Sequence, residues 1–467
     1  MNNKTQTYLL FLISILFGMK LFFWSSIFPF YGNVDEKAHF DLITKYGNGE
    51  KYLKIPLPYS KDAVDLISNY QSDEYLRRVD SGTEYDLLLD FIYPPKQEDA
   101  RLFVQSLKNY QNNSPPLYYW ITGAYYWLAG INSESSIDAL YSLRWFSSGI
   151  SLLFFVCFVW FLKRNMGTTA ALSASILLLC FPQPVYYFLN NDVLSLPLIT
   201  FAILLSWNSK RNHVILSSIL MGLAVWNKLS NLALVAIPPI IYLLSKENKQ
   251  QKFKTIFSYS IVLGIIILPL FLWNYNSTGT FTANAEKISI LKWGENSFED
   301  MLNHPIRTWE GLKHFLWFPI LSLMRGEVTW RLYPIIPEWM DYLIVVLVIL
   351  SLLYLAWKRK SQAKLLQSTY LATLFAFSFL TYLSLVFDYT ESVYPSAKYP
   401  FFTSGRILIG IFPFFILAIN EMIMGIGKKL NISPIYFSIA LGLVFIITEY
   451  HFRKMFIYSP INFFGIL

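Results

Sequence analysis

Long apolar segments recur along the whole chain and are separated by short polar stretches, many of them basic. An α-helix needs about 20 mostly apolar residues to cross the hydrocarbon core of a bilayer. We therefore predict an all-α polytopic membrane protein in which residues 1–467 form a single integral membrane domain. About eleven transmembrane helices are expected, at residues 8–30, 140–162, 168–188, 192–207, 213–227, 229–245, 255–274, 341–357, 366–387, 404–426 and 433–450.

One further apolar segment, "PPLYYWITGAYYWLAG" at residues 115–130, is short for a span. If it does not cross and the N-terminus lies inside, every strong basic cluster between helices falls on the inner side, as the positive-inside rule demands. If it crosses, all of these clusters move outside. We therefore predict that it lies flat in the outer interface, where aromatic rings such as Tyr118 prefer the headgroup level. The basic clusters are Lys163–Arg164, Lys210–Arg211, 246–254, 358–360 and Lys428–Lys429.

This topology leaves two large segments on the outer side of the membrane. Residues 31–139 form an outer loop that is expected to carry juxtamembrane helices, and residues 275–340 form a second outer loop. Both are rich in Trp, Tyr and Pro, and neither is polar enough to be typical of a disordered segment.

Composition agrees with a membrane protein and excludes some partners. The chain is 54% hydrophobic and 15% charged, whereas soluble domains contain about 25% charged residues. The net charge of +8 is explained by basic inner loops, so no nucleic-acid partner is expected. Cys157 and Cys180 both lie in apolar segments and indicate membrane packing. No small-residue cleavage site follows the first apolar segment, which favours a retained helix over a removed signal.

Charged and polar residues collect at the outer ends of the predicted helices. A transporter would be expected to place them along a midplane path, and the sequence shows few there beyond Lys20. A non-catalytic scaffold would give no such convergence. The pattern favours a site that acts on something partly in lipid and partly in water. The candidate site residues are Asp35, Glu36, His39, Tyr118, Arg144, Asp192, Lys228, Lys398 and Arg406.

The acidic candidates lie in "GNVDEKAHFD", residues 32–41, directly after the first span. In a helix that begins near Val34, Asp35, Glu36 and His39 can share one broad face. A carboxylate there could take a proton from a hydroxyl group, and two carboxylates with a histidine could hold a divalent cation. Alternatively, Asp35 caps the helix and Glu36 stabilises its dipole. The residues alone leave both interpretations open.

The basic candidates suit an anion. Arg144 and Arg406 could bind a phosphate through bidentate hydrogen bonds, and Lys228 could act as a point charge. The alternative is that these side chains snorkel to the membrane interface. Lys228 fits that alternative least well, because an outer lysine opposes the positive-inside trend. Lys20, inside the first span, either snorkels or pairs with an acid.

Several short motifs, in this order along the chain, resemble the GT-C superfamily of membrane glycosyltransferases. The likeness is nearest to the branch that contains protein O-mannosyltransferases and the bacterial lipid A aminoarabinose transferase. Ser114 and Ile407 depart from the motifs of that branch, and residues 275–340 contain no motif that matches. The matching motifs are the acidic pair Asp35-Glu36, "PPLYYW" at 115–120, "LRW" with Arg144, "GLAVWNKLSN" with Lys228, and "SGRILIGIFPF" with Arg406 and Pro413.

The resemblance implies transfer of a sugar from a polyprenyl-phosphate carrier to a glycan, lipid or protein acceptor on the outer face of a bacterial cytoplasmic membrane. It implies a single inverting displacement with Asp35 as the base. Lys228, Arg144 and Arg406 would stabilise the departing phosphate, and Glu36 and His39 would position the acceptor or help to bind a metal. Metal dependence differs within the superfamily, so a divalent cation remains open here. The competing hypothesis is a flippase for a lipid-linked glycan.

Overall fold

The computed structural model describes residues 3–28, 35–50, 57–69, 108–131, 136–326, 337–358, 362–389 and 401–457. These residues are almost entirely helical, with one two-stranded antiparallel sheet formed by β1 (Gly294–Glu295) and β2 (Phe387–Asp388). The prediction of an all-α polytopic fold is confirmed. The α-helices in chain order are α1 (Asn3–Ile27), α2 (Glu36–Gly47), α3 (Lys61–Asn69), α4 (Leu117–Leu128), α5 (Ser136–Met166), α6 (Thr168–Cys180), α7 (Asp192–Leu205), α8 (Arg211–Asn227), α9 (Ile237–Leu243), α10 (Lys249–Thr278), α11 (Ala285–Ile290), α12 (Phe298–Asn303), α13 (Trp309–Arg325), α14 (Glu338–Trp357), α15 (Ala363–Val386), α16 (Phe412–Leu430) and α17 (Pro434–Ile457).

Each of the eleven predicted spans coincides with a helical segment. Among the residues that the structure describes, seven helices are long and apolar enough to cross a membrane: α1, α5, α10, α14, α15, α16 with the turn before it, and α17. The other four predicted spans coincide with α6, α7, α8 and α9, the last together with the 3₁₀ segment Leu229–Leu234 that precedes it. These four are shorter, so the number of eleven crossings stays a prediction.

Three of the predicted spans are broken near the end that carries the candidate residues. The helix α6 stops at Cys180, although the apolar pattern continues to residue 188, because Pro182 forces Phe181 into an extended conformation. The segments Leu229–Leu234 and Gly405–Ile411 are 3₁₀ turns that lead into α9 and α16. Such irregular backbone at membrane depth is tolerated where it is buried in protein or lines a cavity.

Two contacts of α5 show how it lies against α1. At one end, Lys163 of α5 donates a hydrogen bond of 3.1 Å to Thr7 at the start of α1. At the opposite end, Arg144 near the start of α5 donates a hydrogen bond of 2.6 Å to the carbonyl of Phe28 after α1. Lys163 therefore lies at the end of α5 away from the candidate site.

An ion pair and a large apolar core hold the helices of the bundle together. Lys20 of α1 pairs with Glu449 of α17 at 2.8 Å and also donates to the carbonyls of Leu179 and Phe181 at the end of α6. Of the two alternatives that the sequence left open for Lys20, the structure has the pair with an acid. The largest buried apolar cluster draws on α1, α5–α8, α14 and α16.

The short helix α4 is present within residues 115–130, and it packs against α2. Glycines allow this close approach. A Cβ on Gly47 would collide with the ring of Tyr126, and a Cβ on Gly123 would lie 2.9 Å from the Cβ of Tyr46. The two helices form a platform at the end of the bundle that carries the candidate residues.

Candidate functional site

A cavity of about 980 Å³ opens at this end of the bundle. One side is lined by polar residues from the start of α2, the turn before α4, the α7 and α8 ends, α11 and the Gly405–Ile411 turn. Another side is apolar and is formed by the Leu229–Leu234 turn and α15. Arg325, Glu338 and Asp341 line a further part of the cavity, and Arg325 pairs with Asp341 at 2.7 Å. The polar residues on the first side are Asp35, His39, Tyr110, Gln111, Asp192, Lys228, Lys287 and Arg406, and the apolar ones include Leu229, Leu232, Ala233, Phe379, Tyr382 and Leu383.

Asp35 faces this cavity from the residue just before α2. Its backbone is left-handed, with φ of 70°, and its side chain makes no capping hydrogen bond to the helix. The capping interpretation is therefore wrong for the side chain of Asp35. Instead, the carboxylate accepts a hydrogen bond of 2.5 Å from Tyr110 and pairs with Arg406 at 3.2 Å. Left-handed backbone on a non-glycine residue is uncommon and is concentrated at functional sites.

The environment of Asp35 keeps its carboxylate ionised. Burial raises the pKa of Asp35, but the positive charges of Arg406 and Lys287 and the Tyr110 hydrogen bond outweigh burial, so the pKa lies below its ordinary value. The side chain retains 20% of its surface exposed. An ionised and accessible carboxylate can accept a proton from a bound hydroxyl group.

Lys228, Asp192 and Arg406 form a network that reaches Asp35 through Arg406. Lys228 donates to Asp192 at 2.5 Å, and Arg406 lies 3.9 Å from the other oxygen of Asp192. Asp192 begins α7, and Lys228 ends α8 in an extended conformation. Arg406 therefore contacts two carboxylates from distant parts of the chain.

Reciprocal hydrogen bonds fix the two turns that carry this network. The Asn227 side chain donates to the Asn191 carbonyl at 2.6 Å, and the Asn191 side chain donates to the Asn227 carbonyl at 3.3 Å. Arg406 is fixed by close packing of its turn against α13, because a Cβ on Gly405 would collide with the carbonyl of Pro319. The Arg406 backbone also donates to Ser322 of α13 at 3.1 Å.

His39 lies on the cavity wall one helical turn after Asp35. Its Nδ1 is 2.8 Å from the hydroxyl of Tyr119, and the two rings stack. Burial, opposed by Asp35 and reinforced by nearby cations, lowers the pKa of His39 to about 3. His39 is therefore neutral at ordinary pH and acts as a hydrogen-bonding group in the cavity wall.

The side chain of Glu36 is buried inside the protein, whereas that of the adjacent Asp35 lines the cavity. It forms a bidentate ion pair with Arg144, at 2.8 and 2.7 Å, in which both side chains are fully buried. Arg144 also donates to the carbonyls of Ser25 and Phe28. Neither residue is among the described residues that line the cavity. The expected catalytic role of Glu36 and phosphate contact of Arg144 are not supported, and the pair instead joins α1, α2 and α5.

The grouping of Asp35, Glu36 and His39 as metal ligands is also not formed. Across the described ranges, no group of three or more His, Cys, Asp or Glu side chains lies close enough to hold a metal ion. The physical reason is that Glu36 is turned into the protein by Arg144. The two remaining side chains are a carboxylate already paired with Arg406 and an imidazole bonded to Tyr119.

The two remaining candidates are Tyr118 and Lys398. Tyr118 is fully buried and its hydroxyl lies 2.9 Å from that of Ser147, so it packs α4 against α5 rather than facing the cavity. The prediction of substrate contact by Tyr118 is therefore not supported. Lys398 lies outside the described residues.

Reasoning from the sequence missed several cavity residues, among them Tyr110, Gln111 and Lys287. Lys287 belongs to residues 275–340, where no motif was recognised. Tyr110 and Gln111 belong to an outer segment rich in aromatic and polar residues, so nothing in their spacing singled them out. Tyr110 precedes the "PPLYYW" motif by five residues, and this proximity is the one signal that could have pointed to it.

Comparison with known proteins supports the expected family. The model of the dolichyl-phosphate-mannose-protein mannosyltransferase family matches residues 113–273, a segment that contains Asp192 and Lys228. A comparison with curated proteins finds no match.

The fold was also compared with solved structures. The chain is similar to an Archaeoglobus fulgidus oligosaccharyltransferase, crystallised with a tethered acceptor peptide, at 13% identity and a TM-score of 0.44. The likeness covers 99% of this chain but only 56% of that one, and it is too distant to inform activity. The family match over residues 113–273 and the apolar helices agree with the motifs that resemble the GT-C superfamily of membrane glycosyltransferases.

Proposed function

We propose that the protein transfers a hexosyl or pentosyl unit from a polyprenyl-phosphate carrier to a hydroxyl group of an acceptor. The observation that carries this proposal is the shared cavity, in which an ionised carboxylate, Asp35, faces the cations Lys228 and Arg406. The apolar wall of the same cavity suits an isoprenoid chain. A donor that is anionic at one end and apolar at the other fits this combination.

In the proposed reaction, Asp35 accepts the proton of the acceptor hydroxyl as its oxygen bonds to the anomeric carbon. The bond from that carbon to the phosphate oxygen breaks in the same step, so the configuration inverts. The phosphate changes from a singly charged diester to a monoester with a second negative charge. Lys228 and Arg406 stabilise that developing charge, which is where fixed cations lower a barrier most effectively.

The Arg406 contact with Asp35 also has a function in this scheme. While Arg406 pairs with Asp35, it holds the pKa of the carboxylate low and makes it a weaker base. A donor phosphate that attracts Arg406 would weaken this pair and raise the proton affinity of Asp35. The base then becomes stronger when the donor is bound, which limits unproductive proton transfer in the empty site.

The setting of the reaction follows from the distribution of charge. The basic loop residues lie at the end of the bundle away from the cavity, which supports an orientation with the cavity on the extracytoplasmic face of a bacterial cytoplasmic membrane. The acceptor would be a glycan, lipid or protein that reaches this face. The flippase hypothesis is disfavoured because Lys20, the intramembrane lysine, is used in helix packing with Glu449.

The test is a transfer assay with purified protein and polyprenyl-phosphate sugars. We expect Lys228→Met to lower transfer by roughly tenfold to a hundredfold, as for loss of a charged hydrogen bond. Lys210→Met, which removes an exposed lysine from the other end of the bundle, is the matched control and should leave transfer unchanged. Transfer from nucleotide sugars but not from polyprenyl-phosphate sugars would refute the proposed donor.

A further inference from the structure

Lys287 enters the cavity from the second outer segment, where it lies on the short helix α11. Its ammonium group is 3.4 Å from the side-chain oxygen of Gln111 and 5.8 Å from the ring centre of Tyr110. Tyr110 in turn donates to Asp35. Lys287 is thus connected through one aromatic ring to the carboxylate that faces the cavity.

Four charged residues lie near Lys287: Asp35, Asp192, Lys228 and Arg406. Lys228 pairs with Asp192, and Arg406 pairs with Asp35 and lies close to Asp192. Within the part of the chain that the structure describes, Lys287 has no carboxylate at ion-pair distance. Lys287 therefore lies beside two ion-paired cations and their carboxylates without an ion pair of its own among the described residues, and an anion bound there could contact all three cations.

The surroundings of Lys287 disfavour the charged form of its side chain. Burial lowers the pKa of Lys287 to about 8; Asp35 and Asp192 oppose this change, and Lys228 and Arg406 add to it. The other titratable groups on this side are Tyr110 and His39, and His39 is neutral at ordinary pH. An anion placed among the three cations would favour the charged form of Lys287.

We propose that Lys287 binds the phosphate of the lipid carrier together with Lys228 and Arg406. The phosphate would then be held by cations from three separate elements: the end of α8, the turn before α16, and α11. This inference rests on the proposed function, because it assigns a further ligand to the phosphate of the same donor. Phosphate binding would also complete the protonation of Lys287.

The experiment measures binding of a polyprenyl monophosphate to the full chain in detergent, with the corresponding polyprenol as the uncharged control probe. Fluorescence of the cavity-lining Trp293 provides one readout. Measurements between about pH 7 and pH 9.5 keep the phosphate in its doubly charged form, since its second ionisation lies near pH 6. We expect the wild-type affinity for the monophosphate to fall as the pH rises through about 8.

Lys287→Met should weaken binding of the monophosphate by about tenfold to a hundredfold and remove the pH dependence. Lys287→Arg should retain binding and also remove the pH dependence, because guanidinium stays charged over this range. This second variant separates loss of charge from loss of folding. Lys292→Met is the matched control, since Lys292 is an exposed lysine of the same segment that does not line the cavity.

The outcomes distinguish the two proposals. If the wild-type protein binds the monophosphate no better than the polyprenol, the proposed donor is wrong. If the wild type discriminates the two probes but Lys287→Met matches Lys292→Met in affinity and pH dependence, the Lys287 assignment is overturned while the proposed function stands. Weaker, pH-independent binding by Lys287→Met, with rescue of affinity by Lys287→Arg, supports the assignment.

Discussion

Asp35 and Glu36 are adjacent acids with opposite environments. Asp35 lies before the first turn of α2, is partly exposed, and shares Arg406 with Asp192 across a large cavity. Glu36 is fully buried. It forms the bidentate ion pair with Arg144 and accepts a hydrogen bond from the backbone N–H of Leu189. Two adjacent acids of one motif therefore lie in different environments. Asp35 lines the cavity, whereas Glu36 joins α2 to α1 and α5 through Arg144.

The largest expected difference between the two acids is in the rate of sugar transfer after substitution of Asp35. Asp35→Asn should lower the rate of sugar transfer by about 10²–10⁴-fold, as for loss of a general base, with little change in thermal unfolding. A radiolabelled transfer assay, alongside melting in detergent, measures both quantities. Glu299→Gln, at an exposed carboxylate, is the control, and near-normal transfer by Asp35→Asn would remove Asp35 as the base.

Glu36→Gln should act mainly on stability. It leaves Arg144 buried without its counter-charge, which costs about 3–5 kcal/mol of unfolding free energy. Chemical or thermal unfolding in detergent, compared with Asp35→Asn, gives the measurement. The contrast between the two acids would fail if Glu36→Gln were as stable as wild type while transfer per folded molecule collapsed.

The double variant Glu36→Gln with Arg144→Met tests whether the two side chains stabilise the protein as a pair. Removing both partners should be less damaging than the sum of the single changes, by a coupling of about 0.5–3 kcal/mol, because no buried charge is then left alone. A double-mutant cycle on unfolding free energy measures this coupling. Strict additivity would mean that the pair contributes little to holding α2 against α5.

The smallest effect concerns His39, which shares the cavity with Asp35. Its pKa is about 3 in the folded protein and 6.5 when unperturbed. Between these two pH values the unfolded chain binds a proton at His39 and the folded chain does not. Stability should therefore fall as the pH drops from 6.5 toward 3, by about 1–2 kcal/mol near pH 5. The melting temperature of His39→Gln should fall less than that of wild type between pH 6.5 and pH 4. An equal fall in the two proteins would contradict this prediction.

Part of the site was predictable because it depends on local sequence. The spacing of Asp35 and His39, four residues apart, predicted that they share a face, and both residues line the cavity. Lys228 was singled out because an outer lysine opposes the positive-inside trend. Lys287 could not be found in this way, because neither its neighbours nor its spacing differ from those of an ordinary surface lysine.

The contacts of Glu36 and Arg144 differ from those expected for a related reason. Successive residues in a helix point about 100° apart, so two adjacent acids can share one broad face or lie in different surroundings. The sequence does not say which side of α2 is covered by protein. The Arg144 side chain, 108 positions later in the chain, decides it.

The sequence by itself determined that the chain is a helical membrane protein, where its apolar segments lie, and on which end the basic loops collect. These properties depend on segment length, hydrophobicity and charge, which are local and additive. Only the tertiary structure decided which charges meet in the cavity and which are buried as pairs. Arg406 and Asp35 lie 371 positions apart, and contacts of that range follow from how the helices pack rather than from any pattern within one of them.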